Sequence, residues 1–152
     1  MNIEITGLGT YEIDSIFIDY NGTIANNGQL MTGIKKNLRD LSENYQVYVI
    51  TGDTFGTVRQ AFEDTNIHVI LANTAKEKAD IISKHQPDHC LAIGNGAIDH
   101  LMFNKAGLSI GVIEREGASL KALLEADLVV TSIYHAFEII ESPKKIIATL
   151  KE

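Results

Sequence analysis

An aspartate that leads into a glycine-containing turn is the first feature of the sequence that could do chemistry. Asp19 ends the apolar run Ser15-Ile16-Phe17-Ile18 and is followed by Tyr20-Asn21-Gly22-Thr23. An aspartate carboxylate can attack phosphorus and carry the transferred group as an acyl phosphate. Asn21, two positions later, has an amide, which cannot hold a proton for general acid–base catalysis. The segment therefore predicts phosphoryl transfer. It does not predict the mechanism in which an acidic residue at position 21 transfers a proton.

Polar residues also follow two later apolar runs. Thr51-Gly52-Asp53 comes after residues 46–50, and Gly94-Asn95-Gly96-Ala97-Ile98-Asp99 comes after residues 89–93. Two lysines, Lys76 and Lys78, open the helical pattern that precedes the second of these runs. In an open α/β sheet, ligands bind beyond the carboxyl ends of the strands, so we expect these residues to meet Asp19 at one edge.

The elements that would position this set alternate along the chain. Apolar runs typical of strands lie near residues 15–19, 46–50, 67–71, 89–93, 108–113 and 127–131. Helical patterns cover Gly33–Ser42, Thr54–Glu63, Lys76–Lys84, Asp99–Ala106 and Ser119–Glu125, and two short helices are expected at the end, the second opening with Pro143. This alternation predicts an α/β fold with a mostly parallel sheet covered on both faces. Residues 2–13 predict a β-hairpin that turns at Gly7-Leu8-Gly9.

Composition and charge narrow the class of protein. The 152 residues, 45% of them hydrophobic and 22% charged, predict one soluble globular domain over residues 1–152. A net charge of −7 makes nucleic acids and membrane surfaces poor partners. The single cysteine, Cys90, excludes an internal disulfide, and no apolar stretch has the features of a signal peptide or a transmembrane helix. Together these features predict a cytoplasmic protein.

The residues expected at the sheet edge suit a reaction at phosphorus. Thr51, the Gly52 amide and one of the lysines could donate hydrogen bonds to the transferred phosphoryl oxygens. Two carboxylates and a phosphate repel one another, so a cation is also needed. Mg²⁺ prefers oxygen ligands, and Asp19, the backbone carbonyl of residue 21 and Asp99 would supply them.

The order of these motifs resembles that of the haloacid dehalogenase (HAD) superfamily. Over residues 15–113, the segment from Asp19 to Thr23 resembles its first motif, Thr51 its second, Lys76 or Lys78 its third, and Gly94-Asn95-Gly96-x-x-Asp99 its fourth. The resemblance implies a three-layer Rossmann-like core and a Mg²⁺-dependent phosphatase or phosphotransferase with Asp19 as nucleophile. The implied phosphate-binding residues are Thr51, Gly52, Lys78, Gly22 and Thr23, and the implied metal-binding residues are Asp19, Asn21, Asn95 and Asp99.

The choice between the two lysines stays open at the level of sequence. Lys78 fits the helical phase of the apolar positions Ile81 and Ile82, whereas Lys76 fits the spacing to Gly94. We favour Lys78.

The sequence departs from the HAD pattern at two motifs. Phosphatases of the superfamily have an aspartate at position 21, and P-type ATPases, whose phosphoenzyme is long-lived, have a threonine. In the fourth motif, which usually reads Gly-Asp-Gly-x-Asn-Asp, Asn95 replaces an acid and Ile98 an amide residue. Losing that acid should weaken metal binding, because two charges about 4 Å apart interact by about 4 kcal/mol at an effective dielectric constant of 20. Thr51-Gly52-Asp53 and the Gly-Asn-Gly segment more narrowly resemble the phosphorylation domain of P-type ATPases, and the chain looks like their soluble stand-alone relatives.

The spacing between the motifs leaves no room for a cap domain. Residues 19–51 accommodate one helix, and residues 53–76 accommodate one helix and one strand. A site without a cap is open, which suits a large substrate or a cap supplied by a second protomer. The expected partners are therefore a phosphorylated small molecule or a phosphoprotein, with a homo-oligomer as a way to cover the site.

Three functions remain open on sequence grounds. The first is a slow Mg²⁺-dependent phosphatase or phosphotransferase that acts through phospho-Asp19. The second is a catalytically degenerate HAD-fold protein that binds phosphate-bearing ligands or a protein partner. The third, a receiver-like phosphoacceptor, is disfavoured, because a receiver needs its phosphorylated aspartate after the third strand, where this chain has Ala72-Asn73.

Overall fold

A computed structural model of the chain describes residues 1–53 and 56–152. Its strands, β1 to β10, are Asn2–Ile5, Gly9–Glu12, Ser15–Asp19, Ala25–Asn26, Gln29–Leu30, Gln46–Thr51, His68–Leu71, Cys90–Gly94, Leu108–Val112 and Leu128–Val130. Its α-helices, α1 to α7, are Ile34–Ser42, Thr57–Ala61, Ala75–Lys84, His100–Lys105, Leu120–Leu123, Ile133–Glu141 and Lys144–Leu150. Short 3₁₀ turns cover Pro87–His89 and Ala97–Asp99.

Six of the strands form one parallel sheet. Their order is β10-β9-β8-β3-β6-β7, and every neighbouring pair is parallel. The predicted α/β fold with a mostly parallel sheet is therefore confirmed. Strand β3 lies between β6 and β8, so Asp19 reaches the carboxyl edge near the middle of the sheet.

Helices cover both faces of the sheet, as the unbroken apolar strands predict. Ile16 and Ile18 of β3 belong to a buried cluster with residues of α1, α6 and α7. Phe17 belongs to a second cluster with residues of α3, α4 and α5. Alternate residues of a strand share a face, so Asp19 lies on the face of Phe17, which α3 covers.

Two hairpins stand apart from the main sheet. Strands β1 and β2 pair antiparallel and confirm the predicted N-terminal hairpin. Strands β4 and β5 form a second, very short hairpin directly after the Asp19 turn, which the sequence analysis missed. Its turn is Asn27-Gly28, and both residues have positive φ angles, 50° and 75°. Asn-Gly is the preferred sequence for such a two-residue turn, so the signal was present in the chain.

The remaining differences from the predicted elements are local. The helix expected over Thr54–Glu63 is found as α2 over Thr57–Ala61, and residues 54 and 55 lie outside the described residues. The helix expected over Asp99–Ala106 becomes a 3₁₀ turn followed by α4. Within residues 1–53 and 56–152 no inserted cap domain is present. A helix long and apolar enough to cross a membrane is likewise absent from those residues.

Candidate active site

Asp19 is held in a fixed orientation at the end of the central strand. It is the last residue of β3, and 8% of its surface is exposed. Its Oδ2 accepts a hydrogen bond from the Thr23 hydroxyl at 3.1 Å, and its Oδ1 accepts one from the ammonium group of Lys78. The carboxylate therefore forms part of the floor of the site with both oxygens oriented by buried donors.

Helix α3 brings one lysine to the site and leaves the other at the surface. A capping box formed by Thr74 and Glu77 starts the helix, and this start places Lys78 on the buried face. The side chain of Lys78 is 1% exposed. That of Lys76 is 81% exposed and pairs with Asp80 on the same helix. The structure thus places Lys78 at the candidate nucleophile and places Lys76 outside the site, although both were candidates from the sequence.

Lys78 joins Asp19 to a second buried carboxylate, that of Asp99. Its Nζ donates to Asp99 Oδ1 at 2.6 Å. Oδ2 of Asp99 accepts from the backbone N–H groups of Asn95 and Gly96, at 2.9 and 2.8 Å. Asp99 is fully buried and belongs to the lining of the cavity in front of Asp19. Both of its oxygens face protein donors, as both oxygens of Asp19 do, and the expected role of Asp99 as a metal ligand stays a prediction.

Asn95 connects the first motif to the turn at residues 114–117. Its Oδ1 lies 3.2 Å from the Thr23 hydroxyl, whose single proton it shares with Asp19, and its Nδ2 donates to the carbonyl of Gly117 at 2.9 Å. Its own carbonyl accepts from the N–H of Ser119 at 2.7 Å. A Cβ atom at Gly22 would collide with the Asn95 amide, so only glycine fits there. An aspartate at position 95 would have no side-chain N–H to donate to the Gly117 carbonyl. An amide side chain therefore suits this position.

Gly22 and Thr23 do not face the cavity as the predicted phosphate-binding role requires. The N–H of Gly22 donates to the Ala25 carbonyl at 2.9 Å, and that of Thr23 donates to the Tyr20 carbonyl. Thr23 is fully buried, and its hydroxyl contacts Asp19 instead. Both backbone N–H groups are therefore used within the turn, and of the two residues Thr23 orients Asp19.

A cavity of about 230 Å³ opens in front of these groups. Thr51, the last residue of β6, lies at this edge, and its hydroxyl accepts from the N–H of Asp53 at 3.1 Å. The lining residues come from the ends of four strands and from α3: Asp19, Asn21, Thr51, Gly52, Ala72, Asn73, Lys78, Asn95, Gly96, Ile98 and Asp99. The cavity thus presents an ammonium, a hydroxyl and backbone groups around one accessible carboxylate, which is an arrangement that can hold a phosphoryl group.

Asn21 is the exposed member of this set. Its backbone forms an isolated bridge with Ala25, and its side chain points into solvent-accessible space. Among the described residues, no hydrogen-bond partner holds its amide. A substitution at position 21 would therefore change the chemistry of the cavity without removing a contact of the fold.

The buried charges of the site perturb one another. Burial raises the pKa of Asp19 to about 7, the charge of Asp99 adds to that rise, and Lys78 opposes it. Burial alone would lower the pKa of Lys78, but the two carboxylates more than offset this effect and its pKa is raised. With all three groups ionised, two carboxylates and one ammonium leave one net negative charge in the interior.

The oxygen atoms that remain for a metal ion are few. Asp19, the backbone or side chain of Asn21, and Oδ1 of Asn95 are oxygen donors at the cavity. In the part of the chain that the structure describes, no group of three or more His, Cys, Asp or Glu side chains could hold a metal. Oxygen donors of this kind fit Mg²⁺, which keeps several water molecules. The donor set and the net negative charge therefore fit a weak magnesium site.

Two residues at the site escaped the sequence analysis. Asn73, directly after β7, lines the cavity, and a Cβ atom at Gly52 would collide with its side-chain oxygen. The rule that ligands bind beyond the carboxyl ends of the strands, which identified Thr51 after β6, also applied to Asn73. Gly117 accepts from Asn95 across a distance of 22 residues, and no local pattern in the sequence pointed to that contact.

Comparison by sequence finds relatives of unknown activity. No family model matches the sequence. An uncharacterized protein of Methanocaldococcus jannaschii is 36% identical over 72 residues, which are 47% of this chain and 77% of the relative. A second uncharacterized protein of the same organism is 41% identical over 39 residues, which are 26% of this chain and 89% of that relative.

Comparison by structure finds phosphatases. The cobalt-bound deoxy-D-mannose-octulosonate 8-phosphate phosphatase of Haemophilus influenzae has a TM-score of 0.73 at 16% identity, over 93% of this chain and 94% of that chain. The corresponding phosphatase of Moraxella catarrhalis, in complex with magnesium, phosphate and KDO, has a TM-score of 0.71 at 18% identity, over 91% and 94%. A HAD superfamily hydrolase of Legionella pneumophila has a TM-score of 0.70 at 16% identity, over 91% and 87%. By sequence the chain belongs to the family of the first archaeal relative, and its fold is that of the haloacid dehalogenase superfamily.

Proposed function

We propose that this chain is a phosphatase-type hydrolase that acts through a phosphorylated Asp19 and uses Mg²⁺. The observation that carries this proposal is the buried arrangement of Asp19, Lys78 and Asp99 at the carboxyl edge of the sheet. Burying two carboxylates and a lysine is weak as a source of stability, because desolvation offsets their attraction. Such a cluster with a raised Asp19 pKa, placed in a cavity, is instead typical of a functional site.

The first step is attack of an Asp19 oxygen on phosphorus. A bond forms between that oxygen and phosphorus while the bond to the leaving oxygen breaks, which yields an acyl phosphate and an alcohol that takes its proton from water. The Lys78 ammonium, the Thr51 hydroxyl and the Gly52 N–H would donate to the phosphoryl oxygens. Asp99 acts on this step as a positioning residue, because it holds Lys78.

The second step is hydrolysis of the acyl phosphate. Water forms a bond to phosphorus, the bond to the Asp19 oxygen breaks, and inorganic phosphate leaves. The proton of the attacking water must go to solvent, because the amide of Asn21 cannot accept it. This supports a slow second step and a phosphorylated protein that accumulates during turnover.

The metal has a defined place in this proposal. Asp19, Asn21 and Asn95 would hold Mg²⁺ through oxygen atoms, and the ion would supply positive charge opposite the phosphoryl group. The neutral side chain of Asn95, in place of an acid, supports weak binding.

The experiment is a screen for Mg²⁺-dependent phosphate release from phosphorylated small molecules and a phosphoprotein. Asp19→Asn is the test variant, and Asp14→Asn is the matched control, because Asp14 is an exposed aspartate directly before the same strand. The proposal expects release by the wild type and the control, and none by Asp19→Asn. Equal release by all three proteins would contradict it.

A second candidate function is binding of phosphate ligands without turnover. Asn21, which lacks a proton to transfer, is the observation that favours it. It predicts that calorimetry detects binding of a phosphate ester to the wild type while no member of the screen is hydrolysed.

A further inference from the structure

A second cavity adjoins the one in front of Asp19. It has a volume of about 400 Å³. Asn21 and Gly52 line both cavities, so the two spaces meet at these residues. A molecule whose phosphoryl group lies at Asp19 therefore has room for its remaining atoms beyond Asn21 and Gly52. We call this space, between Asn21, Asp53 and Val58, the side cavity.

The walls of the side cavity suit a small molecule with a carbon chain and polar groups. Tyr20 and Val58 are buried and present apolar surface. The Tyr20 hydroxyl donates to the carbonyl of Gly28 at 3.2 Å, which ties the ring to the β4–β5 hairpin. A volume of this size lies within the range of small-ligand sites.

The charge of the side cavity comes from Asp53. Its Oδ2 accepts from the Thr57 hydroxyl at 2.6 Å and from the Val58 N–H at 2.9 Å, so the carboxylate is fixed at the wall. No basic residue is among the described residues that line the cavity. Residues 54 and 55, outside the described residues, are a threonine and a phenylalanine and add no charge to this segment.

From this arrangement we infer that the substrate is a small phosphate monoester whose leaving group is a neutral or positively charged polar alcohol without a second anionic group. The inference rests on the proposed function, because it takes the phosphoryl group to lie at Asp19. A second anion on the leaving group would enter the side cavity beside the fixed carboxylate of Asp53. An amine would be attracted to the same carboxylate, and a hydroxyl would be tolerated.

The size of the preference follows from Coulomb's law. Unit charges about 6 Å apart in a solvent-like dielectric change binding on the order of threefold each, so an amine and a carboxylate, which differ in sign, should differ on the order of tenfold. The order of preference should therefore be amine, then hydroxyl, then carboxylate.

Three esters of matched size test this order: 2-aminoethyl phosphate, 2-hydroxyethyl phosphate and phosphoglycolate. Their leaving groups each have two carbons and end in an ammonium, a hydroxyl or a carboxylate, so that the charge changes at nearly constant size. Turnover with Mg²⁺ is measured on the wild type, and binding is measured by calorimetry on Asp19→Asn, which cannot form the acyl phosphate. The binding measurement separates the two proposals, because it does not depend on catalysis.

The test variant is Asp53→Asn, in the wild-type and the Asp19→Asn backgrounds. The amide oxygen can still accept from Thr57 and Val58, so these two contacts are kept while the charge is lost. The matched control is Glu12→Gln, which removes the same charge from the exposed strand β2. That strand contacts the 3₁₀ turn preceding β8. We expect Asp53→Asn to reduce the amine-to-carboxylate ratio on the order of tenfold and Glu12→Gln to leave it unchanged.

Each outcome decides a separate point. The expected binding order without any turnover would contradict the proposed function but support the side cavity as the leaving-group site. Equal binding of the three esters, or preference for phosphoglycolate, would overturn the inference. So would a preference that survives Asp53→Asn, or a failure of all three esters to bind.

Discussion

Lys78 Nζ lies 2.6 Å from Asp99 Oδ1 in the interior of the fold. The other oxygen of Asp99 is held by two backbone N–H groups of the loop after β8. This contact therefore connects helix α3 to that loop, and the same ammonium reaches Asp19 on the central strand. One side chain thus joins the three elements that build the site.

Replacing Lys78 by methionine should destabilise the protein and abolish phosphoryl transfer. The change leaves two buried carboxylates without their cation, which typically costs about 3–5 kcal/mol in the free energy of unfolding. Urea denaturation measures this loss. Lys76→Met, two residues earlier on the same helix, is the control and should retain wild-type stability and activity, because Lys76 lies at the surface. A Lys78→Met protein as stable as the control would show that the cluster is not ionised as described.

Replacing Asn95 by aspartate should have two opposite effects. The new charge should tighten Mg²⁺ binding, which calorimetric titration measures. The loss of the hydrogen bond to Gly117 should expose the turn at residues 114–117, at a cost of about 1–3 kcal/mol. Hydrogen exchange in residues 113–119 should therefore become faster.

Asn21→Asp is the control for this exchange measurement, because it adds the same charge to the cavity without contacting the turn. Equal exchange in the two variants would show that the Asn95 amide does not hold the turn.

Replacing Asn21 by aspartate should raise phosphatase turnover. A positioned general base typically contributes about 10²–10⁴-fold, and the exposed Asn21 side chain has no described contact to lose. Steady-state phosphate release measures the rise, and the fraction of trapped phosphoprotein should fall at the same time. Asn73→Asp, which adds a carboxylate to the same cavity, controls for charge alone and should give no rise. An equal rise in both variants would point to charge rather than proton transfer.

The stability of the metal-free protein should depend on the protonation of Asp19. Burial raises the pKa of Asp19 to about 7 in the folded protein, compared with about 4 for an ordinary aspartate. The folded protein then binds this proton more tightly than the unfolded chain, so the stabilisation is present at low pH and is lost as the pH rises from about 4 to about 7.

Urea denaturation with a chelator measures this dependence. The free energy of unfolding of the wild type, minus that of Asp19→Asn, should fall across this interval and level off above it. A difference that rises with pH would contradict the raised pKa of Asp19.

Much of the site could be predicted from local patterns in the sequence. The position of Asp19, Thr51 and Asp99 at one edge was predictable because apolar runs marked the strands and ligand sites lie beyond their carboxyl ends. Lys78 was favoured over Lys76 by helical phase, and the structure places it in the interior.

The rest of the site depends on contacts between distant segments. The orientation of the Asp99 carboxylate is fixed by two backbone N–H groups, which no residue pattern records. The role of the Asn95 amide likewise depends on the carbonyl of Gly117, a group that every residue type carries.

The most direct test of the account is the location of the phosphoryl group in the wild-type protein during turnover. The protein is quenched in acid after incubation with Mg²⁺ and a hydrolysed ester, reduced with borohydride, digested and mapped by mass spectrometry. Reduction marks an acyl phosphate by converting the modified aspartate to homoserine. A phospho-Asp19 mechanism predicts this mark at Asp19 alone, and its loss in Asp19→Asn. Phosphate release without a mark at Asp19, or with a mark at another residue, would contradict it.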